Sequence, residues 1–174
     1  MNTDKNKQNT VFSTPWFNVI TRPFGIAKEP YYVIDACDCA CTLALTQEKE
    51  IIFVRQYRPT IEQETLELPS GHIEATEGPE EAARRELLEE TGYSAESFEL
   101  LGVLATDTGR LGYKLWCYFC PVATLVRPPQ ASEVTQLVKY SVEKTLSAIT
   151  TAEIIHAQDM AVVFLALQKG KIVI

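Results

Sequence analysis

Residues Gly71–Tyr93 read GHIEATEGPEEAARRELLEETGY, a glycine-ended loop feeding a segment whose spacing predicts a helix over Pro79–Thr91. Proline suits the first helical position, and Gly92 suits a left-handed stop. At about 100° per residue, Glu90 lies about 40° to one side of Glu86 and Glu89 about 60° to the other, so the three carboxylates share one face. Leu87 and Leu88 are rotated away and can anchor the helix in a core. Like charges three and four residues apart cost a helix a few tenths of a kcal/mol per pair. The ordinary reading of such a charge run is a solvated helix face; the alternative is a carboxylate cluster compensated by a divalent cation. Magnesium prefers carboxylate oxygens, keeps some of its waters and is commonly shared with substrate phosphates.

Working outward, alternating and apolar runs predict strands over Trp16–Phe24, Tyr31–Asp35, Cys37–Leu45 and Ile51–Gln56. Further strands are predicted in ETLELPSG leading into that stretch, over Phe98–Thr106, Leu115–Ala123 and Gln136–Ser141. Helices are expected near Val142–Ile149 and Asp159–Gln168. Strands outnumber helices without regular βαβα alternation, which points to a mixed sheet packed between helices. The 174 residues fit one domain. We expect a polar tail over 1–10, N-terminal strands about 16–35 and a catalytic core about 36–174. Sixteen Lys and Arg against 23 Asp and Glu give a net charge of −7, which disfavours a nucleic-acid backbone or an anionic membrane as partner. A small phosphate-bearing ligand stays open, because a metal ion inverts local electrostatics. No apolar run approaches the ~20 residues of a membrane span, and no signal-like segment follows the first lysines. Cys37, Cys39 and Cys41 alternate and are expected on one strand face as small buried hydrophobes; Cys117 and Cys120 are expected on opposite faces. Reduced thiols imply a cytoplasmic protein.

The quoted stretch resembles the Nudix box, Gly-x5-Glu-x7-Arg-Glu-U-x-Glu-Glu-x-Gly-U with U a bulky apolar residue. Gly71, Glu77, Arg85, Glu86, Leu87, Glu89, Glu90 and Gly92 fall on the pattern, and Tyr93 is an aromatic variant at its last position. Seven of these positions demand one residue type. At about 6% usage each, a chance match in a chain of this length falls below about one in a million. The resemblance implies a Nudix-type α/β/α sandwich with a mixed sheet, and hydrolysis of a nucleoside diphosphate derivative by water attack at a pyrophosphate phosphorus. By position it implies Glu86 and Glu90 as ligands of magnesium, with manganese the alternative, and Glu89 as ligand of a further metal or its water shell. Arg85 is expected to hold a box carboxylate, with Glu77 its partner. Gly71 is expected to let the loop turn tightly, and a backbone carbonyl of Ser70 or Gly71 to complete the metal shell. Leu87 and Gly92 are structural. The general base is expected at Glu133, with Asp107 as runner-up and Glu89 as a further alternative.

Upstream, FVRQYRPTIEQETLELPSGHIE closely resembles the ADP-ribose pyrophosphatase branch of that family. This implies that Arg55 and Arg58 contact either a substrate phosphate or carboxylates of the site, surface ion pairs being the alternative. ADP-ribose is the leading substrate, converted to AMP and ribose 5-phosphate; a GDP-hexose or a dinucleotide stays open, as does a non-catalytic nucleotide-sugar binding module. Trp16 is the candidate for stacking on a base or ribose, Trp116 is expected in the core, and His72 exposed. The C-terminal ITTAEIIHAQDMAVVFLAL resembles the branch's closing helix and reads as structural. One departure stands out: ATDTGRLGYK, Ala105–Lys114, replaces the branch's Ser-Pro-Gly-like turn. Members of this branch are often dimers that exchange N-terminal strands, so a homodimer is expected.

Overall fold

Strand β4 (Cys39–Ala44) is buried along nearly its whole length, because it lies inside a sheet with helices on both faces. Its neighbours are β7 (Ser70–His72), antiparallel, and β10 (Lys114–Cys120), parallel; β9 (Glu99–Ala105) closes the order β7-β4-β10-β9. The computed structural model describes residues 9–24, 29–130 and 134–174. A second sheet, β12-β5-β6, is antiparallel and joins Val134–Tyr140, Ile51–Arg58 and Gln63–Glu67. A two-stranded ribbon pairs β8 (Tyr93–Ser94) with β11 (Thr124–Leu125).

The pleat explains the two cores. Cys41, Leu43, Phe53, Leu115, Cys117 and Phe119 face one cluster, which helices α2 (Val142–Thr150) and α3 (Ala157–Gln168) cover with Ala148, Val162, Val163 and Ala166. The alternate residues Ala40, Ala44, Ile52, Tyr118 and Cys120 face the other side, where α1 (Pro79–Thr91) packs through Ala82, Ala83 and Leu87. Strands buried on both faces read as continuous apolar runs, as here. The result is the α/β/α sandwich expected from the sequence. Leu87 is fully buried whereas Leu88 is half-exposed, so a single leucine carries the anchor.

Helix α1 has the expected bounds. The Gly78 amide donates to Glu81 Oε2 at 2.7 Å, and Gly92 adopts φ 75°, its amide closing on the Leu88 carbonyl. A Cβ at Gly92 would overlap the Arg127 carbonyl oxygen and lie 3.0 Å from that residue's carbonyl carbon. Both the dihedral and the space therefore require glycine.

The N-terminal sheet pairs β1 (Asn9–Ser13), β2 (Phe17–Arg22) and β3 (Tyr31–Ala36) in order. β1 is a correction: the tail expected over 1–10 lies outside the described residues up to position 8, and its last two residues already belong to a strand. The loop that departs from the branch pattern ties this sheet to the body. The Ile34 amide donates to the Arg110 carbonyl and the Gly112 amide to the Ile34 carbonyl, both at 2.8 Å. Arg110 also stacks on Tyr31. Cys37 is exposed and precedes β4, so only Cys39 and Cys41 of the alternating trio share its core-facing side; Cys117 and Cys120 do fall on opposite faces. Trp116 is partly buried against Ala40 and Tyr118, its Nε1–H donating to Asp38 at 3.0 Å.

Candidate active site

Helix α1 runs beside β7, and between them opens a cavity of about 780 Å³. Glu86, Glu89 and Glu90 all line it, together with Arg85, Ser70 and Gly71, so the helical period did bring the acidic face to one cavity. Glu90 is buried and accepts a hydrogen bond from the Ser70 amide at 2.9 Å. Burial pushes its carboxyl pKa up to about 8; the Ser70 amide opposes this, and the Glu86 charge adds to it. Burial likewise raises Glu86, against the opposing pull of Arg85.

Arg85 is the hub. Its guanidinium donates to Glu77 at 2.7 and 3.1 Å, to Glu86 at 2.6 Å, to Glu89 at 3.2 Å and to the His72 carbonyl at 2.9 Å. The expected Arg85–Glu77 pair is thus present and bidentate, and it holds the Glu77 carboxyl below its usual range. Arg85 also neutralises the face that repels itself, bridging Glu86 to Glu89.

Gly71 plays a different part from the one expected of it. Its φ is not in the left-handed region, so no tight turn requires glycine. A Cβ there would instead overlap Oε1 and Cδ of Glu86 and lie 2.7 Å from Oε2. Gly71 is the space into which the Glu86 carboxylate folds against β7.

Among the described residues, no three His, Cys, Asp or Glu side chains are gathered closely enough to hold a metal ion as they stand. The donor set nonetheless fits magnesium: the carboxylates of Glu86, Glu89 and Glu90 and nearby backbone carbonyls supply oxygen donors, and a cation would favour the ionised form of buried Glu90. Magnesium binds through one or two carboxylates, waters and substrate phosphates, not through a complete protein cage.

The remaining expected residues divide. Trp16 lines the cavity while largely exposed. Arg58 lines it and pairs bidentately with buried Glu67, Nε at 2.8 Å and Nη2 at 2.5 Å; Glu67 itself lines a neighbouring cavity and not this one. Arg55 is not brought there. It sits 3.6 Å from Glu153, because strand alternation turns it away from the cavity that Gln56 and Arg58 line. Asp107 is not brought there either, its Oδ1 accepting from the Gly109 amide at 2.6 Å within its own turn. Glu133 lies outside the described residues; Gln130, three positions earlier, lines the cavity, and its amide donates to the Glu89 carbonyl at 2.8 Å. His72 is exposed, as expected, but its carbonyl helps hold Arg85.

Sequence reasoning missed Tyr113, Gln130, His156 and Gln158, which also line the cavity. Tyr113 belongs to the departing loop. His156 and Gln158 come from the start of the closing helix, read as purely structural; the only local signal there was a His-x-x-Asp spacing. Cys39 lines the cavity too, with burial first and Asp38 next raising its thiol pKa to about 11, which keeps it protonated.

The model of the NUDIX domain matches residues 38–158, and the chain belongs to the Nudix family. It is 29% identical over 132 residues to the ADP-ribose pyrophosphatase of Bacillus subtilis, covering 74% of this chain and 71% of that one. It is 45% identical over 67 residues to the methanol dehydrogenase activator of Bacillus methanolicus, covering 38% of this chain and 36% of the relative. The matched segment therefore spans about a third of one curated relative and under three quarters of the other. The fold superposes on a crystal structure described as an ADP compounds hydrolase with a TM-score of 0.79 and 19% identity, covering 95% of this chain and 93% of that one.

Proposed function

We propose that this protein is a divalent-metal-dependent pyrophosphohydrolase of a nucleoside diphosphate sugar, with ADP-ribose cleaved to AMP and ribose 5-phosphate. The observation that carries this reading is the convergence of Glu86, Glu89, Glu90 and Arg85 on one cavity of about 780 Å³, within the range of small-molecule sites. The name of the B. subtilis relative supports the ADP-ribose assignment.

Glu86 and Glu90 would hold the ion, with Glu89 beside them and a backbone carbonyl of Ser70 or Gly71 as a further donor. When bound, the ion neutralises diphosphate oxygens and lowers the pKa of a bound water. Arg85 fixes the orientation of Glu86 and Glu89. A carboxylate, in our reading Glu133, takes a proton from the attacking water. The new P–O bond forms as the anhydride P–O bond breaks, and the second phosphate leaves on the bridging oxygen. Trp16 offers its exposed face to the base or ribose.

A second copy of the chain is proposed to cover the N-terminal sheet, where Val11, Phe12 and Tyr32 are exposed; sedimentation equilibrium at micromolar concentration should give a dimer mass. The five free cysteines support a reducing, cytoplasmic setting. No helix among the described residues is long and apolar enough to cross a membrane.

The test is a substrate panel of ADP-ribose, GDP-hexoses and dinucleotides with Mg²⁺ and product identification. ADP-ribose should be the preferred substrate. Preference for another member transfers the assignment to that substrate, and turnover of none refutes hydrolysis.

A further inference from the structure

The start of α3 brings a second charged cluster to the cavity wall, apart from the carboxylates of α1. His156 lines both the main cavity and a neighbouring one of about 370 Å³, and so does Arg58. The His156 Nδ1 is buried, 3.0 Å from Asp159 Oδ2 and 3.8 Å from Glu67 Oε2, without meeting hydrogen-bond geometry to either. Its side chain keeps 31% of its surface, so the accessible part of the ring is the edge away from Nδ1, which carries Nε2.

Both acids behind the ring are buried. Asp159, 1% exposed, accepts from the Leu68 amide at 3.1 Å; its other oxygen lies 4.0 Å from the Cys41 thiol. Glu67, 2% exposed, accepts from Thr65, Gln56 and Arg58. Arg58 balances one of these two carboxylates. A carboxylate left unbalanced in the interior costs several kcal/mol, of the order of a desolvated ion; burial raises the Asp159 pKa accordingly, and a protonated imidazole beside it opposes that shift. Burial opposes that charge, yet Asp159 and then Glu67 outweigh it and hold His156 above its ordinary pKa, with Arg58 opposing. The charged and titratable groups facing the ring are thus Asp159 from its own helix, Glu67 from β6 and Arg58 from β5.

We propose that His156 is a phosphate-contacting residue of this cavity, an imidazolium whose Nδ1 edge faces Asp159 and Glu67 and whose opposite edge meets the diphosphate. Such a group would add to the neutralisation that a bound ion supplies. The guanidinium of Arg85 already serves Glu77, Glu86 and Glu89, and that of Arg58 serves Glu67. A diphosphate entering a cavity lined by Glu74, Glu86, Glu89 and Glu90 therefore gains from a donor whose exposed edge is not already held by a carboxylate. This inference rests on the pyrophosphohydrolase reading for the identity of the anion.

The chain has only two histidines, so imidazole NMR resolves His156 directly, with His72→Gln supplying the assignment. In metal-free wild-type protein, the His156 signal should titrate above the ordinary ~6.5. Inorganic pyrophosphate should shift it and raise its midpoint further. In turnover assays, His156→Gln should raise KM about tenfold at pH 6.5 with kcat changed less than about threefold, the size of one charge-assisted hydrogen bond. The KM difference should shrink as pH rises through the His156 midpoint, because the wild-type ring then loses the charge that the variant never had. A His156 signal indifferent to pyrophosphate, or a KM difference independent of pH, overturns the proposal. If the wild type hydrolyses no nucleoside diphosphate derivative, the function reading falls, while the pyrophosphate titration still decides the role of His156.

Discussion

Replacing Gly71 by alanine should separate catalysis from folding. The added methyl would overlap Oε1 and Cδ of Glu86 and lie 2.7 Å from Oε2, where ordinary contact begins at 3.4 Å. What it meets is the far end of a flexible side chain, not backbone. The carboxylate therefore moves away, by about 1 Å, instead of the strand yielding, and a displacement of that size at reacting groups costs on the order of 100-fold in rate. Stability should hardly change. Gly71 needs no left-handed backbone, so alanine gains a few tenths to 1 kcal/mol from the unfolded chain, against a similar loss where Arg85 must follow Glu86. The net, within about 1 kcal/mol, is within about 4 °C of Tm for a chain of this size. Steady-state turnover with saturating Mg²⁺, beside differential scanning calorimetry of the same preparation, reads both quantities. Retention of more than about a third of wild-type kcat would refute the claim that Glu86 needs this space. A Tm loss beyond about 8 °C would show that Gly71 serves the backbone instead.

Gly92→Ala should behave in the opposite manner. Its φ of 75° and the overlap with the Arg127 carbonyl oxygen should cost about 2–3 kcal/mol, seen as a Tm lower by about 5–10 °C; an unchanged Tm would remove the left-handed cap from the account. Glu90→Gln bears on the burial of the acidic face. In EDTA, folded Glu90 with its pKa pushed from 4.5 to about 8 binds a proton more readily than in the unfolded chain, so wild-type stability declines as pH rises between those values. Glutamine has no such dependence. The Tm advantage of the variant should widen from pH 5 to pH 8 in scanning fluorimetry, and a constant difference would mean that Glu90 titrates as an exposed carboxyl.

Much of the site was legible because it is local. Glu86, Glu89 and Glu90 lie within five residues on a regular helix, and the 3.6-residue period alone puts them on one face; Pro79 and Gly92 mark the helix ends by their own backbone restrictions. The sandwich followed from strands apolar on both faces. What was not legible depends on distant chain. The need for glycine at position 71 arises from the Glu86 side chain, fifteen residues on, and not from its own dihedral. Arg55 and Arg58 read alike in RQYR, yet their odd spacing on one strand sends them to opposite sides, Arg55 to Glu153 and Arg58 to the cavity. His156 meets Glu67 across some ninety residues, and only the docking of α3 on the sheet reveals that its first turn carries charge into the cleft. Strand β1, exposed along its whole length, has no alternation to betray it.

The central claim is hydrolysis of a sugar-linked nucleoside diphosphate by the acidic face of α1, and phosphorus-31 NMR of ADP-ribose incubated with the protein tests it most directly. With Mg²⁺, the two diphosphate resonances should be replaced by two phosphomonoester resonances of equal area, AMP and ribose 5-phosphate, and EDTA or Glu90→Gln should abolish or slow the change by orders of magnitude. Diphosphate resonances that persist with Mg²⁺, or that disappear equally fast with Glu90→Gln, would contradict the account.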